Sequence, residues 1–80
     1  MNFERIVDEL KVLIVEIAPQ FSKTDIELNT NLINDLLFDS LMIMELVVRA
    51  EEQFDIEIDE LNIDKIGVFG ELCKVINGEL

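Results

Sequence analysis

The chain has 80 residues, half of them hydrophobic, with 18 acidic against 6 basic side chains and a formal net charge of -12. This charge disfavours binding to nucleic acids or anionic membranes, and the length allows one domain with a modest core. There is no histidine and only one cysteine, which excludes histidine-based triads, the usual zinc sites and an internal disulfide. We therefore expect a single cytoplasmic, monomeric domain over residues 1–80, with no signal peptide, membrane span, metal or catalytic residue.

The first predicted element is a helix over residues 3–17. Apolar side chains recur there at helical spacing, and Pro19 ends the pattern. A long connection follows over residues 18–39, rich in turn-forming Ser, Thr, Asn and Asp. We expect its isolated apolar residues to attach it to the core, namely Phe21, Ile26, Leu28, Leu32 and Ile33.

The second predicted helix, over residues 40–54, has two apolar stripes. The stripe with core spacing consists of Ile43, Leu46, Val47, Ala50 and Phe54. The other stripe, Leu41, Met44 and Val48, has Glu45, Glu51 and Glu52 beside it. Two interpretations remain open for this second stripe: an exposed contact surface, or a second buried face of a helix that lies between others.

The last third of the chain is predicted to contain an extended loop and two helices. Residues 54–59 alternate like a strand, but no partner strand is available, so we expect a loop that places Ile56 or Ile58 in the core. A short helix over 60–66 ends at Gly67, and a longer one over 68–77 has Gly78 as its C-cap and Cys73 as a small buried hydrophobe. The predicted fold class is therefore all-α: a small bundle of three main helices plus one short helix, with a long first loop.

The most informative single side chain is Ser40, which stands at a predicted helix start beside Asp39. A serine in this position commonly caps the helix, and that simple interpretation is favoured by the spacing alone. If Asp39 provides the cap instead, the Ser40 hydroxyl is free, and a phosphoester on it would gain from the helix dipole.

Longer motifs resemble the acyl carrier protein family along nearly the whole chain. The motif Asp39-Ser40-Leu41 is followed by Glu45-Leu46-Val47 and by an acidic run that ends Phe54-Asp55-Ile56-Glu57-Ile58. The resemblance implies that Ser40 receives 4'-phosphopantetheine from coenzyme A through a phosphopantetheinyl transferase. The thiol of this arm would carry acyl groups as thioesters to loading and transferring synthase enzymes with basic docking patches.

The resemblance also implies two sets of site residues. Those that would dock partner enzymes are Asp39, Leu41, Met44, Glu45, Val48, Glu51 and Glu52. Those near an acyl pocket inside the bundle would be Leu46, Ala50, Phe54, Ile58, Ile66 and Leu72.

Two departures from the family pattern affect the expected pathway. Many members have a glycine after the leucine that precedes the motif, where this chain reads Leu36-Leu37-Phe38, and polar residues where it has Met42-Ile43. We expect added bulk beside the arm and a more apolar docking face, which suit a specialised polyketide or peptide pathway. The alternatives are an aminoacyl or D-alanyl carrier and, in a different class, an unmodified acidic helical adaptor that binds a basic partner.

Overall fold

The computed structural model describes residues 2–58 and 67–80, which contain three α-helices. Helix α1 spans Phe3–Ile17, α2 spans Ser40–Phe54 and α3 spans Phe69–Glu79, and a short 3₁₀ helix covers Lys23–Asp25 in the first connection. The all-α class is confirmed, as are the predicted bounds of the first two helices. The predicted short helix over 60–66 lies outside the described residues.

The last helix differs from its prediction at both ends. It begins at Phe69 rather than Val68, which is its N-cap in extended conformation, and it continues through Gly78 to Glu79. Gly78 has no positive φ, so it does not adopt the left-handed conformation of a glycine C-cap, and that prediction was wrong.

The core forms where α1 packs against both α2 and α3. Helix α1 begins with the Asn2 side chain accepting a hydrogen bond from the Arg5 N–H at 2.8 Å. The predicted inner stripe of α2 is buried throughout, which confirms it. The buried side chains of the three helices are Ile6, Leu10, Leu13, Ile14, Ile43, Leu46, Val47, Ala50, Phe54, Phe69, Leu72, Cys73 and Ile76.

The long connection is attached to the core partly as predicted. Ile26 and Leu32 are buried and Phe21 packs partly against the core, but Leu28 and Ile33 are more than half exposed, so those two predictions were wrong. Backbone hydrogen bonds hold this segment instead: the Leu28 carbonyl accepts from the Gly70 N–H at 2.8 Å. The backbones come so close that a Cβ on Gly70 would lie 2.6 Å from the Leu28 oxygen, which explains the glycine.

The segment after α2 supplies another core side chain. Asp55 adopts the left-handed conformation at the helix end, and the Ile56 N–H donates to the Glu51 carbonyl at 3.1 Å. Ile58 is buried and Ile56 packs partly against the core, as the extended-loop prediction required.

Candidate functional site

The start of α2 presents Ser40 with its hydroxyl unused. Asp39 is the N-cap residue, and its Oδ1 accepts a hydrogen bond from the Met42 N–H at 2.9 Å. Ser40 is therefore the first residue inside the helix, it is exposed, and its hydroxyl has no hydrogen-bond partner among the described residues. The simple interpretation of Ser40 as the helix cap was wrong, because the neighbouring carboxylate occupies that position.

Two backbone donors point out of the same helix end. With Met42 bonded to Asp39, the N–H groups of Ser40 and Leu41 remain without a partner in the described part of the chain. Unpaired N–H groups and the positive end of the helix dipole favour a negatively charged group at this position. A phosphoester on the Ser40 oxygen fits these features, so the residues present suit an attached phosphopantetheine arm.

The loop that leads into α2 is closely held. The Asn31 Oδ1 accepts from the N–H groups of Ile33 and Asn34, and the Phe38 N–H donates to the Leu32 carbonyl at 2.9 Å. These bonds close a turn over residues 32–38, which delivers Asp39 and Ser40 to the helix start.

Leu37, at the end of this turn, has an unusual backbone. Leu36 and Phe38 on either side are both buried, whereas Leu37 is 76% exposed and has a φ of 59°. This left-handed conformation costs a residue with a Cβ roughly 1–2 kcal/mol, and glycine adopts it freely. The expected bulk near Ser40 therefore comes from Leu37 alone, because the ring of Phe38 lies in the core.

The second stripe of α2 lies on the outside of the molecule. Leu41 is 80% exposed, Val48 is exposed and Met44 is partly exposed, which rules out the alternative of a second buried face. The expectation that Met42 and Ile43 make this outer face more apolar was wrong. Ile43 belongs to the core stripe and Met42 packs partly against it, because both lie on the inner side of the helix.

The acids beside this stripe have different environments. Glu45 accepts from Arg49 at 3.0 Å, and Arg49 also reaches Glu16 on α1 at 3.3 Å. Glu51 is partly buried and its Oε2 accepts from the Ile58 N–H at 2.9 Å, so it stabilises the segment after the helix. Glu52 is exposed and lines a shallow groove with Leu13 of α1.

The residues predicted to form an acyl pocket lie together in the core. Leu46, Ala50, Phe54, Ile58 and Leu72 are all buried in one cluster, whereas Ile66 lies outside the described residues. Their role in holding an acyl chain stays a prediction.

Cys73 has the environment of a structural hydrophobe. It is fully buried on the inner face of α3, and burial raises the pKa of its thiol from 9.0 to about 12. A neutral buried thiol is a poor nucleophile, so the predicted packing role is confirmed.

Known proteins resemble this chain in sequence along most of its length. Residues 8–76 match the family model described as a phosphopantetheine attachment site. A protein from Clostridium acetobutylicum named acyl carrier protein is 33% identical over 76 residues, which cover 95% of this chain and 92% of its own length. Proteins of the same name from Chlamydia felis and a Sulfurovum species are 33% and 35% identical over 69 residues, 86% of this chain and 87% and 91% of theirs.

The helices that the structure describes include none that combines the length and apolar character of a membrane span. The match covers most of the chain, the secondary-structure elements of the described residues are all helices, and the motif serine stands exposed at a helix start. The chain therefore belongs to the acyl carrier protein family, whose members hold 4'-phosphopantetheine covalently and act as carriers rather than enzymes.

Proposed function

We propose that Ser40 is the residue to which 4'-phosphopantetheine is attached, and that the thiol of this arm carries acyl groups as thioesters between partner enzymes. The observation that carries the proposal is that Asp39, and not Ser40, caps α2. Asp39 caps the helix, and this leaves the Ser40 hydroxyl exposed and unbonded among the described residues.

Each residue at this helix end has a definable part in the attachment. The Ser40 oxygen forms a phosphoester bond while the pyrophosphate bond of coenzyme A breaks and its adenosine bisphosphate half leaves. The hydroxyl proton passes to a base of the transferase or to water. The unpaired N–H groups of Ser40 and Leu41 then stabilise the negative charge of the phosphodiester at the positive end of the helix.

The outer face of α2 is the proposed docking surface for the transferase and for the synthase enzymes. Its exposed apolar residues Leu41 and Val48 have acids beside them, and a chain of net charge -12 attracts enzymes with basic patches. The full proposed set is Asp39, Leu41, Met44, Glu45, Val48, Glu51 and Glu52. Because Glu51 also supports Ile58, we assign it a mixed structural and docking role.

A specialised biosynthetic pathway, of the polyketide or peptide type, remains our proposal for the carrier's setting, in a single cytoplasmic, monomeric domain. Fewer residues support this proposal than the sequence indicated. Of the residues near Ser40 that differ from the family pattern, only Leu37 is strongly exposed. An aminoacyl cargo is the alternative within the family. The buried cluster around Leu46 and Phe54 is the proposed site for an acyl chain.

Loading of the arm in vitro tests the proposal. The protein is incubated with coenzyme A, magnesium and a broad-specificity phosphopantetheinyl transferase, and the intact mass is measured. We expect one added arm in the wild type and in Ser22→Ala, and none in Ser40→Ala. Ser22 is the matched control because it is the other serine of the chain, and its hydroxyl is bonded to Thr24 and Asp25.

Two results would contradict the assignment: a wild type that gains no mass, or a Ser40→Ala variant that still gains it. The unmodified adaptor would give the first result and would keep its activity in Ser40→Ala.

A further inference from the structure

The stability of the fold does not explain why residue 37 is a leucine. The described residues contain two non-glycine positions with a positive φ, Leu37 and Asp55. Aspartate visits this conformation readily, because its short polar side chain can bond locally, whereas leucine rarely does. The backbone at position 37 is therefore strained because a leucine side chain disfavours the left-handed conformation.

Packing does not account for the leucine either. The turn is set by its neighbours, since Leu36 and Phe38 are buried and the Phe38 N–H is bonded to the Leu32 carbonyl. The Leu37 side chain itself is 76% exposed, so glycine or asparagine at this position would keep those contacts and remove strain. A strained and exposed leucine contributes almost nothing to the stability of the isolated domain. We therefore consider a role in contact with a partner.

The surroundings indicate what kind of partner fits. Leu37 and Leu41 are both exposed and flank Ser40 along the chain, and the exposed Ile33 belongs to the same closed turn as Leu37. We call these three residues the Ser40 patch. The nearby charges are the carboxylates of Asp35 and Asp39, both exposed. No basic residue occurs in the sequence between Lys23 and Arg49, so the segment on either side of Ser40 carries only acidic charges.

We propose that Leu37 is a recognition residue that enters an apolar depression, bordered by basic side chains, on the phosphopantetheinyl transferase that acts on Ser40. The inference rests on the proposed function of Ser40 and extends it to the turn before the motif. The transferase is the occupant because it must reach the exposed Ser40 hydroxyl, three residues from Leu37. A basic border would meet the two carboxylates while the depression covers the leucine.

The test compares variants that relieve the strain with one that keeps the apolar volume. Leu37→Gly and Leu37→Asn remove the side chain from contact, and Leu37→Met retains its bulk. Leu28→Asn is the matched control, since Leu28 is also an exposed leucine but lines a separate groove with Phe3 and Val68. Melting temperatures are measured first, and then rates of arm transfer from coenzyme A at varied carrier concentration.

We expect Leu37→Gly and Leu37→Asn to melt at higher temperature than the wild type, yet to lose about tenfold in kcat/KM, mainly through KM. That loss is what uncovering one leucine in an interface predicts. Leu37→Met and Leu28→Asn should stay within about twofold of the wild type. A carrier that is more stable but less well recognised cannot be explained by damage to the fold.

Three outcomes would overturn the inference. Unchanged kcat/KM in Leu37→Gly and Leu37→Asn would remove the leucine from recognition, with the attachment role of Ser40 intact because the arm is still added. A wild type that receives no arm at all would remove the proposed function and the inference together. A concentration-dependent dimer that Leu37→Asn abolishes would assign the patch to a second copy of the chain.

Discussion

At the scale of single residues, the site depends on which of two adjacent side chains caps α2. Aspartate and serine are both good N-caps, and a shift of one residue would turn the Ser40 hydroxyl inward to the Met42 or Ile43 amide. The structure gives the cap to Asp39, whose backbone is extended and whose carboxylate bonds to Met42. One carboxylate thereby stabilises the helix and keeps the hydroxyl available.

Replacing the cap tests this division. We expect Asp39→Ala to lower the free energy of unfolding by about 1 kcal/mol, because the Met42 N–H loses its acceptor. Asp39→Asn should lose less than half of that, since the amide oxygen can still accept. Urea unfolding at constant ionic strength measures both. Equal losses in the two variants would mean that the charge of Asp39, rather than its hydrogen bond, stabilises α2.

Cys73 gives a prediction about pH. Its thiol has a pKa near 9.0 when exposed and about 12 in the fold, because burial disfavours the thiolate. The folded state therefore holds the proton more tightly, so this stabilisation is complete below pH 9 and is lost as the pH rises towards 12. Between these values the wild type should lose stability more steeply than Cys73→Ala. Parallel stability curves for the two proteins would show that the thiol titrates normally.

Residue-scale features were the least predictable from the sequence. The identity of Leu37 marked it as unusual, but the sequence does not reveal its left-handed backbone or that Leu36 and Phe38 on either side are both buried. The same limit applies to Leu28 and Ile33, which are apolar but exposed. In that segment backbone bonds to Gly67 and Gly70 provide the attachment that side chains were expected to give.

At the scale of elements, α2 was the most predictable part of the molecule. Its core stripe repeats at helical spacing and its end is marked by Asp55 in left-handed conformation, so local chemistry and packing agree. The outer stripe could not be assigned from pattern alone, because a helix covered on two sides has the same sequence signature. The exposure of Leu41 and Val48 identifies the face of α2 that the packing against α1 leaves uncovered.

The exposed stripe of α2 can be tested with a matched pair of substitutions. Val48 on α2 and Val12 on α1 are both exposed valines of these helices. We expect Val48→Asp to raise the KM of arm transfer at least fivefold, because it places a charge in an apolar contact, while Val12→Asp changes it less than twofold. Both variants should melt close to the wild type. Equal effects of the two substitutions would argue against a docking role for this face.

At the scale of the whole molecule, repulsion among the excess acidic side chains destabilises the fold, whereas burial of apolar side chains stabilises it. The four ion pairs among the described residues are all exposed, with no partner side chain less than 39% accessible, so each contributes little. A net charge of -12 on so small a chain produces repulsion that extends over its whole surface. Repulsion, rather than ion pairing, is therefore the dominant electrostatic effect on stability.

Added salt distinguishes repulsion from ion pairing, because screening of repulsion raises the melting temperature and screening of ion pairs lowers it. We expect the melting temperature to rise by several degrees between about 10 mM and 300 mM salt, because screening weakens repulsion more than it weakens four exposed pairs. A double variant such as Glu52→Gln with Glu79→Gln removes exposed acids near the C-terminal ends of α2 and α3, and should melt higher than the wild type at low salt and approach it at high salt. A melting temperature that falls as salt is added would show that ion pairs dominate.

The most direct measurement of the central claim is the mass of the protein purified from cells that naturally produce it, followed by fragmentation to locate any modification. We predict a population that carries a phosphopantetheine arm, with or without an acyl group on its thiol, on the peptide that contains Ser40. An arm on a different residue, or a protein that carries none in any fraction, would contradict the account.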